Sequence, residues 1–279
     1  MQKIYAMSDI HGVIRPLRNR LSQLDMGAIR SGEAKLLFLG DYIDWGSNSF
    51  KVLETLFELQ KDLKENVVIL KGNHEQWFLD FLYGYNLSWL GEMRTVSLLS
   101  AFLTDDELGR VNHMIARLKP HLANGIVRKA METRHGDLLS WMKSLPLFYE
   151  TEHQIFVHAG IDEEAGDLWR VGTDDATFMG KYPAEKGYFY KDIIAGHVSV
   201  STASGRRNLH DIFYDQKSHF YIDGVDSYPT STRDDDRVIP LLLYTEEGTC
   251  GNYYSIQPDG TQKLLCSRKY RAGLRITDR

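Results

Sequence analysis

Residues 36–46 read LLFLGDYIDWG, an apolar run that stops at a glycine and is followed by two aspartates. The same arrangement recurs along the chain, where short apolar runs rich in branched side chains each end at a polar group. These runs are residues 3–7, 36–39, 67–70, 155–157 and 193–195. Their composition is typical of strands that are buried on both faces. The sequence therefore predicts an α/β fold in which each polar group lies where a strand ends.

The polar groups at the ends of these runs are all side chains that bind metals in proteins. They are Asp9 with His11, Asp41 with Asp44, Asn73 with His74, His158, and His197. Ligands of open α/β sheets bind outside the carboxyl ends of the strands, so five such ends can converge on one crevice. Carboxylate and amide oxygens together with imidazole suit zinc, iron or manganese. The sequence therefore predicts a two-metal hydrolytic site, in which a carboxylate such as Asp41 can bridge ions about 3.5–4 Å apart.

Helical patterns separate the first three strands. Leucines recur at helical spacing at positions 17, 21 and 24, and apolar residues recur in the same way between positions 53 and 63. About thirty residues separate His11 from Asp41 and Asp41 from Asn73, which is the length of a strand, a helix and the next strand. We therefore expect strands joined by crossover helices in this part of the chain.

The middle and the end of the chain have different patterns. Residues 76–147 lack strand patterning and are predicted to form a helical insertion. The aromatic stripe on its opening helix is expected to pack in a core, and its residues are Trp77, Phe78, Phe81, Leu82 and Tyr85. Short strand-like runs at 220–222, 239–243 and 253–256 predict an antiparallel second sheet. Between them, residues 226–237 are expected to form a polar loop. The 279 residues could hold two domains, but α/β enzymes of this size are commonly one.

Five sequence motifs carry a family resemblance. The strings SDIHG at 8–12, GDYIDWG at 40–46, GNHE at 72–75, VHAG at 157–160 and AGH at 195–197 resemble the ordered motifs of the calcineurin-like metallophosphoesterases. Within that family they are most similar to the phosphoprotein-phosphatase branch, which includes bacterial serine/threonine phosphatases and diadenosine tetraphosphatases. The resemblance covers most of residues 3–225. It implies one domain over residues 1–279, built as a four-layer αββα sandwich of two mixed sheets with the helical insertion as a cap.

Position by position, the resemblance implies a role for each motif residue. Asp9 and His11 would bind the first metal, Asp41 would bridge both, and Asn73, His158 and His197 would complete the second. His74 resembles the family's general acid for the leaving oxygen, and Asp44 the carboxylate that orients it. The cofactors implied are two divalent ions, with manganese expected first and iron or zinc as alternatives.

Two positions depart from what the resemblance implies. The phosphatase branch usually has arginine where this chain has Trp45, for which packing on a neighbouring loop and stacking on a base are both open interpretations. Ser199 stands where other branches carry a second histidine, which favours the phosphatase branch. In the segment LWR at 168–170, Arg170 is the candidate phosphate clamp because a guanidinium suits phosphate, although it could equally be a solvated surface charge.

The function implied is hydrolysis of phosphate monoesters, as in serine/threonine protein phosphatases, by attack of a metal-bridging hydroxide. The substrate would be a phosphorylated protein, a small phosphate ester or a nucleotide. One alternative is a dinucleoside polyphosphate hydrolase, with Trp45 and the aromatic cap holding a base. Another is a binding protein that keeps the fold without catalysis, which the intact set of motif residues disfavours.

Composition excludes several other classes. A net charge of -5 and a pI near 6.1 give no general attraction for nucleic acid or for an anionic membrane. No apolar run approaches the ~20 residues that span a bilayer, and the N-terminus enters a strand at Lys3 instead of forming a signal peptide. Two cysteines cannot form a zinc-thiolate cluster. We therefore expect a cytoplasmic protein.

Overall fold

The computed structural model describes residues 2–87, 89, 96–224, 237–271 and 274–275. Its strands are β1 (Gln2–Met7), β2 (Ala34–Phe38), β3 (Val67–Ile69), β4 (Phe148–Glu150), β5 (Gln154–Val157), β6 (Asp192–Ser199), β7 (Phe213–Tyr214), β8 (His219–Asp223), β9 (Leu241–Glu247), β10 (Cys250–Ile256), β11 (Gln262–Arg271) and β12 (Leu274–Arg275). The five strands that the apolar runs predict are present as β1, β2, β3, β5 and β6.

The described helices lie mainly in the first half of the chain. They are α1 (Ile14–Leu21), α2 (Met26–Ser31), α3 (Ser49–Leu63), α4 (Asn73–Tyr83), α5 (Val96–Phe102), α6 (Asp105–Ala116), α7 (Pro120–Arg134), α8 (Gly136–Ser144), α9 (Trp169–Gly172), α10 (Asp175–Gly180) and α11 (Val200–Ser204). Ser199, at the position weighed above, caps α11 by accepting a hydrogen bond from the main-chain N–H of Thr202.

The first sheet has the strand order β12-β11-β10-β9-β1-β2-β3. β1, β2 and β3 are parallel, with Lys3 opposite Ala34 and Leu36 opposite Val67. α1 and α2 follow β1, and α3 follows β2, so the predicted crossover helices are confirmed. On the other side of β1, the strands β9, β10 and β11 continue the sheet in antiparallel order. The sheet is therefore mixed.

The second sheet has the order β4-β5-β6-β8-β7 and is also mixed. Its central strands β5, β6 and β8 are parallel, whereas β4 and β7 are antiparallel edges. The prediction of an antiparallel second sheet from the C-terminal runs is wrong. The run at 220–222 lies in β8 and pairs in parallel with β6, while β9 and β10 join the first sheet. Each strand pattern was present, but the partner of each strand is set by long-range packing.

The two sheets pack face to face through an apolar layer. Ile4 and Leu37 of the first sheet and Phe156, Ile194 and Phe220 of the second belong to one buried cluster. Burial of such side chains stabilises the fold by about 1.5–3 kcal/mol each. The outer face of the first sheet is covered by helices, and smaller helices cover that of the second. The expected four-layer αββα sandwich is confirmed.

Helices α4 to α8 occupy the region where the sequence predicts an insertion. α6 begins with a capping box, in which Thr104 accepts from the N–H of Glu107 and the Glu107 carboxylate accepts from the N–H of Thr104. On α4, Phe78 and Phe81 are fully buried, so these members of the aromatic stripe lie in the core as expected. Tyr85 follows the helix and is exposed.

The expectation about membrane spans can be compared with the described residues. None of the described helices combines the length and the apolar composition that a membrane span requires. Cys250 and Cys266 are both free thiols. In the predicted polar loop, residues 226–236 lie outside the described part of the chain.

Candidate metal centre

The polar groups named from the sequence meet at one end of both sheets. Asp9 follows β1, Asp41 follows β2, and His158 follows β5. Asn73 is the first residue of α4, four residues beyond the end of β3 at Ile69. The carboxyl ends of these parallel strands therefore converge, as the rule for open α/β sheets predicts.

His197 differs from the expectation that each polar group lies beyond a strand. It lies inside β6, at an irregularity where the pairing with β8 shifts between Ala195 and Ser199. The backbone of His197 is left-handed there, with φ of 63°. A bulge of this kind re-aims a side chain without ending the strand, and it turns the imidazole toward the other motif residues.

The oxygens of Asp41 face two groups of side chains. Its Oδ2 atom lies 3.7 Å from Nε2 of His11, which is itself 3.9 Å from Oδ1 of Asp9. Its Oδ1 atom lies 3.4 Å from Nε2 of His158. A carboxylate with one oxygen turned to each group has the arrangement that a bridging ligand requires.

The second group is held together by Asn73. Its Oδ1 atom lies 2.9 Å from Nε2 of His158 and 2.9 Å from Nδ1 of His197. Donor atoms of Asp41, His158 and His197 lie within 4.8 Å of one another, as do those of His11, Asp41 and His74. Buried carboxylate, amide and imidazole donors at this spacing fit divalent ions of the manganese, iron and zinc type.

Main-chain carbonyls orient two of the imidazoles. Nδ1 of His11 lies 2.9 Å from the carbonyl oxygen of Ile43, and Nδ1 of His158 lies 2.8 Å from that of Leu39. A proton on Nδ1 leaves the Nε2 lone pair directed at Asp41. Outer partners of this type fix the tautomer and the ring orientation of metal-binding histidines.

The backbone of the site is held in uncommon conformations. Asp9, His11, Asp41 and Asp44 are left-handed, with φ of 54°, 45°, 59° and 67°. Non-glycine residues in this region cost on the order of 1–3 kcal/mol each and cluster at functional sites. The fold over-determines these loops, so the side chains are directed into the crevice at the expense of local stability.

Two glycines allow the loops to approach closely. A Cβ atom on Gly72 would collide with the carboxylate of Asp41, and one on Gly196 would collide with the carboxylate of Asp9. The side chains of the site are therefore packed against bare main chain, where no other residue type fits.

His74 has a different environment from the other imidazoles. Its Nδ1 atom lies 2.7 Å from Oδ2 of Asp44, and its Nε2 atom lies 3.7 Å from Oδ2 of Asp41. Burial opposes a charge on His74, but Asp41 and Asp44 outweigh it and raise the pKa to about 9. A protonated imidazole beside the crevice can donate a proton.

The pKa values of the other three imidazoles depend on the charged groups around them. Burial and the nearby His74 lower the pKa of His11 to about 3, and burial and His158 lower that of His197 to about 4. Both are neutral at pH 7, as metal ligands must be. Burial opposes a charge on His158 too, but Asp41 raises its pKa to about 10, so His158 must release a proton to bind a metal.

Glu75 is a functional candidate that the sequence prediction missed. Its fully buried carboxylate accepts hydrogen bonds from the main-chain N–H groups of Asp41, Tyr42 and Gly72, at 2.9, 2.8 and 3.0 Å. It thereby ties the loop after β2 to the start of α4. The signal was its place as the last residue of GNHE, three positions after the glycine that caps the helix.

Trp45 contacts two imidazoles of the candidate site directly. Its ring stacks on that of His11, with centroids 4.4 Å apart and planes 9° from parallel. Its centroid also lies 5.9 Å from that of His74, at 90°. The ring of Trp77 also contacts His74, with centroids 4.8 Å apart.

Arg170 lies away from these groups. Its guanidinium forms an ion pair with Glu150 on the edge strand β4. Glu150 pairs with Ile155, three residues before His158, so the ion pair lies about 10 Å toward the amino end of β5. Another arginine, Arg237, is close enough that its charge contributes to the low pKa of His11. Arg237 is the last residue of the predicted polar loop.

The fold is an α/β sandwich, and the crevice at its strand ends holds two groups of side chains that could each bind a metal ion. The model of the family described as calcineurin-like phosphoesterase matches residues 2–216. The chain therefore belongs to the calcineurin-like phosphoesterase family.

Individual relatives match over shorter stretches. Serine/threonine-protein phosphatase BSL2 of Arabidopsis thaliana is 35% identical over 151 residues, which are 54% of this chain and 14% of that protein. A putative serine/threonine-protein phosphatase of Caenorhabditis elegans is 39% identical over 82 residues, which are 29% of this chain and 21% of that protein. The matches thus span about a fifth or less of these relatives.

Among solved structures, the cold-active protein-tyrosine phosphatase of a psychrophilic Shewanella species is similar in fold. The TM-score is 0.57 at 18% sequence identity, and the match covers 95% of this chain and 81% of that chain. The likeness extends over both sheets because nearly the whole chain is covered.

Proposed function

We propose that this protein is a metal-dependent hydrolase of phosphate monoesters, with phosphoserine or phosphothreonine of proteins as the substrate class. The observation that carries the proposal is the position of Asp41, whose two oxygens face His11 and His158 while His74 stands beside them. Membership of the phosphoesterase family supports the reaction class. Relatives named serine/threonine phosphatases support the substrate class.

We assign the metal ligands as the sequence motifs imply. Asp9, His11 and Asp41 would hold one divalent ion, and Asp41 with the second group of donors, Asn73, His158 and His197, would hold another. When bound, the ions would neutralise charge on the phosphoryl oxygens and lower the pKa of the attacking water. Manganese is the ion we propose first, because the mixture of oxygen and imidazole donors suits it.

The protein's own groups act on the departing oxygen. We assign His74 as the general acid that donates the proton of Nε2 to the leaving alkoxide. The Asp44 carboxylate accepts a hydrogen bond from the Nδ1–H group of His74, which orients the ring and stabilises its charged form. Because both side chains are buried, water does not compete for that hydrogen bond. A positioned acid of this kind contributes about 10² to 10⁴ in rate.

A metal reconstitution assay tests the proposal. Protein treated with a chelator and then loaded with manganese, iron or zinc should hydrolyse p-nitrophenyl phosphate, and the chelated protein should not. The variant Asp41→Asn is the control, because it loses a charge from the carboxylate shared by both groups. A metal-loaded protein that is inert toward all phosphate esters would defeat the proposal and leave a binding protein of this fold.

A second candidate function is hydrolysis of a dinucleoside polyphosphate. The indoles of Trp45 and Trp77 beside His74 support it, because aromatic surfaces bind nucleobases. Turnover of a phosphoserine peptide compared with that of diadenosine tetraphosphate separates the two candidates.

The cytoplasmic location also stays a prediction, which cell fractionation can test.

A further inference from the structure

Trp45 is fixed on His11 by its ring and by its backbone. The two rings are nearly parallel, and the main-chain N–H of Gly46 donates to the carbonyl oxygen of His11 at 2.9 Å. Asp44 and Trp45 are consecutive left-handed residues, with φ of 67° and 57°. Two such residues in succession cost on the order of 1–2 kcal/mol each. The loop therefore holds the indole over the imidazole at the expense of backbone strain.

The packing of Trp45 is directed at the site and not at the apolar core. Its side chain is half-buried and belongs to none of the apolar clusters of the described residues. Its ring neighbours are instead His11, face to face, and His74, edge to face. His11 and His74 are themselves in edge contact at 4.8 Å. The indole face that covers His11 is closed to a nucleobase.

We propose that Trp45 is a positioning residue for metal binding, and that its indole fixes the plane of the His11 imidazole. This inference rests on the proposed metal site. The hydrogen bond from Nδ1 of His11 to the carbonyl of Ile43 holds one point of the ring, and one such contact does not by itself fix the plane of the ring. A flat surface at 4.4 Å sets that plane and keeps Nε2 aimed at Asp9 and Asp41.

The consequence is selective for one of the two ions. His11 belongs to the group with Asp9, whereas His158 and His197 belong to the other group and have no described ring contact with Trp45. Loss of an outer partner typically weakens metal affinity about 10–100-fold. Removing the indole should therefore weaken the binding of one ion by that factor and leave the affinity for the other ion nearly unchanged.

Three variants separate ring stacking from simple filling of space. Trp45→Phe keeps a flat ring on His11, whereas Trp45→Leu fills much of the volume without one. Trp77→Leu is the matched control, because Trp77 contacts His74 and has no described ring contact with His11. Each variant is made in the full chain, and its unfolding is followed by circular dichroism.

Binding of manganese alone is then measured by calorimetry and by electron paramagnetic resonance, without substrate. We expect two ions in the wild type, about 10–100-fold weaker binding of one ion in Trp45→Leu, and less than about threefold change in Trp45→Phe and Trp77→Leu. Equal affinities in Trp45→Leu and the wild type would overturn the inference while leaving the proposed function intact. Equal losses in Trp45→Leu and Trp45→Phe would overturn it too, since a flat ring would then be irrelevant. A wild type that binds no ion would overturn the proposed function and this inference with it.

Discussion

Nδ1 of His74 lies 2.7 Å from Oδ2 of Asp44, and both side chains are buried beside the crevice. The two residues come from different loops, since Asp44 follows β2 and His74 lies in the first turn of α4. Their contact leaves the Nε2 atom of His74 facing Asp41. The pair thus places an imidazole, our proposed proton donor, beside the carboxylate that faces both groups of metal-binding candidates.

The first prediction concerns this pair. His74→Asn should lower kcat by about 10² to 10⁴, because the proton donor is lost, while manganese affinity changes little. Steady-state kinetics with p-nitrophenyl phosphate and calorimetric titration of manganese measure the two quantities. Asp44→Asn is the companion variant and should lower kcat by a smaller factor, since the imidazole remains. Unchanged turnover in His74→Asn would refute the assigned role.

A second prediction follows from the contact of Gly72 with Asp41. In Gly72→Ala the new Cβ collides with the Asp41 carboxylate, so we expect at least about tenfold weaker manganese binding and a loss of about 1–3 kcal/mol in unfolding free energy. Gly109→Ala is the matched control, because Gly109 lies inside α6 with open space around it. Alanine there should stabilise the protein by about 0.5–1 kcal/mol. Urea unfolding of both variants decides the matter, and similar curves would contradict the prediction.

A third prediction distinguishes two arginines. Arg170 is largely exposed and paired with Glu150, so Arg170→Gln should leave KM for a phosphate ester within about twofold and stability within about 1 kcal/mol. Arg237→Gln should raise KM more, because the charge of Arg237 reaches His11 and would attract a phosphate. Kinetics of the two variants at one ionic strength test this. A tenfold rise in KM for Arg170→Gln would restore Arg170 as the phosphate clamp.

The fourth prediction concerns stability against pH. His219 is buried and lies 3.1 Å from both Asp215 and Glu163. Burial opposes its charge, but these carboxylates raise its pKa to about 9, above the ordinary value of 6.5. The stabilisation is therefore complete below about pH 6.5 and is lost as the pH rises through about 9.

Replacement of His219 isolates that contribution. The unfolding free energy of the wild type should fall relative to His219→Gln by up to about 3 kcal/mol over this interval, because glutamine does not titrate. Urea unfolding at several pH values gives both curves. A constant difference between wild type and variant from neutral to alkaline pH would show that the imidazole is not charged in the folded protein.

The sequence predicted which residues of the candidate site lie together, because its signals are local. An apolar run that ends before Asp9, Asp41 or His158 predicts a strand and also places a possible metal-binding side chain just beyond that strand. The structure then brings these residues within a few ångströms through parallel pairing of their strands. Arg170 followed no such signal, and its ion pair with Glu150 depends on how β4 packs at the edge of its sheet.

Other features could not be predicted from neighbouring residues. The run in β8 resembles those in β9 and β10, yet it joins the other sheet. The hydrogen bonds of Glu75 with Asp41 and Tyr42 join residues more than thirty positions apart. The indole of Trp45 covers His11 because Asp44 and Trp45 are both left-handed. The pattern of side chains in the sequence does not reveal that backbone conformation.

The amino-acid sequence alone determined the five strands that precede the motif residues, the crossover helices between the first three of them, and the carboxylate, amide and imidazole groups of the candidate metal centre, because hydrophobic periodicity and donor chemistry are properties of adjacent residues. Tertiary structure alone decided which sheet each late strand joins and how the rings of His11, Trp45 and His74 are set against one another. Those outcomes depend on packing between segments far apart in the chain. Strands with similar sequences can pair in several ways, and the pairing that buries the most apolar surface is the most stable.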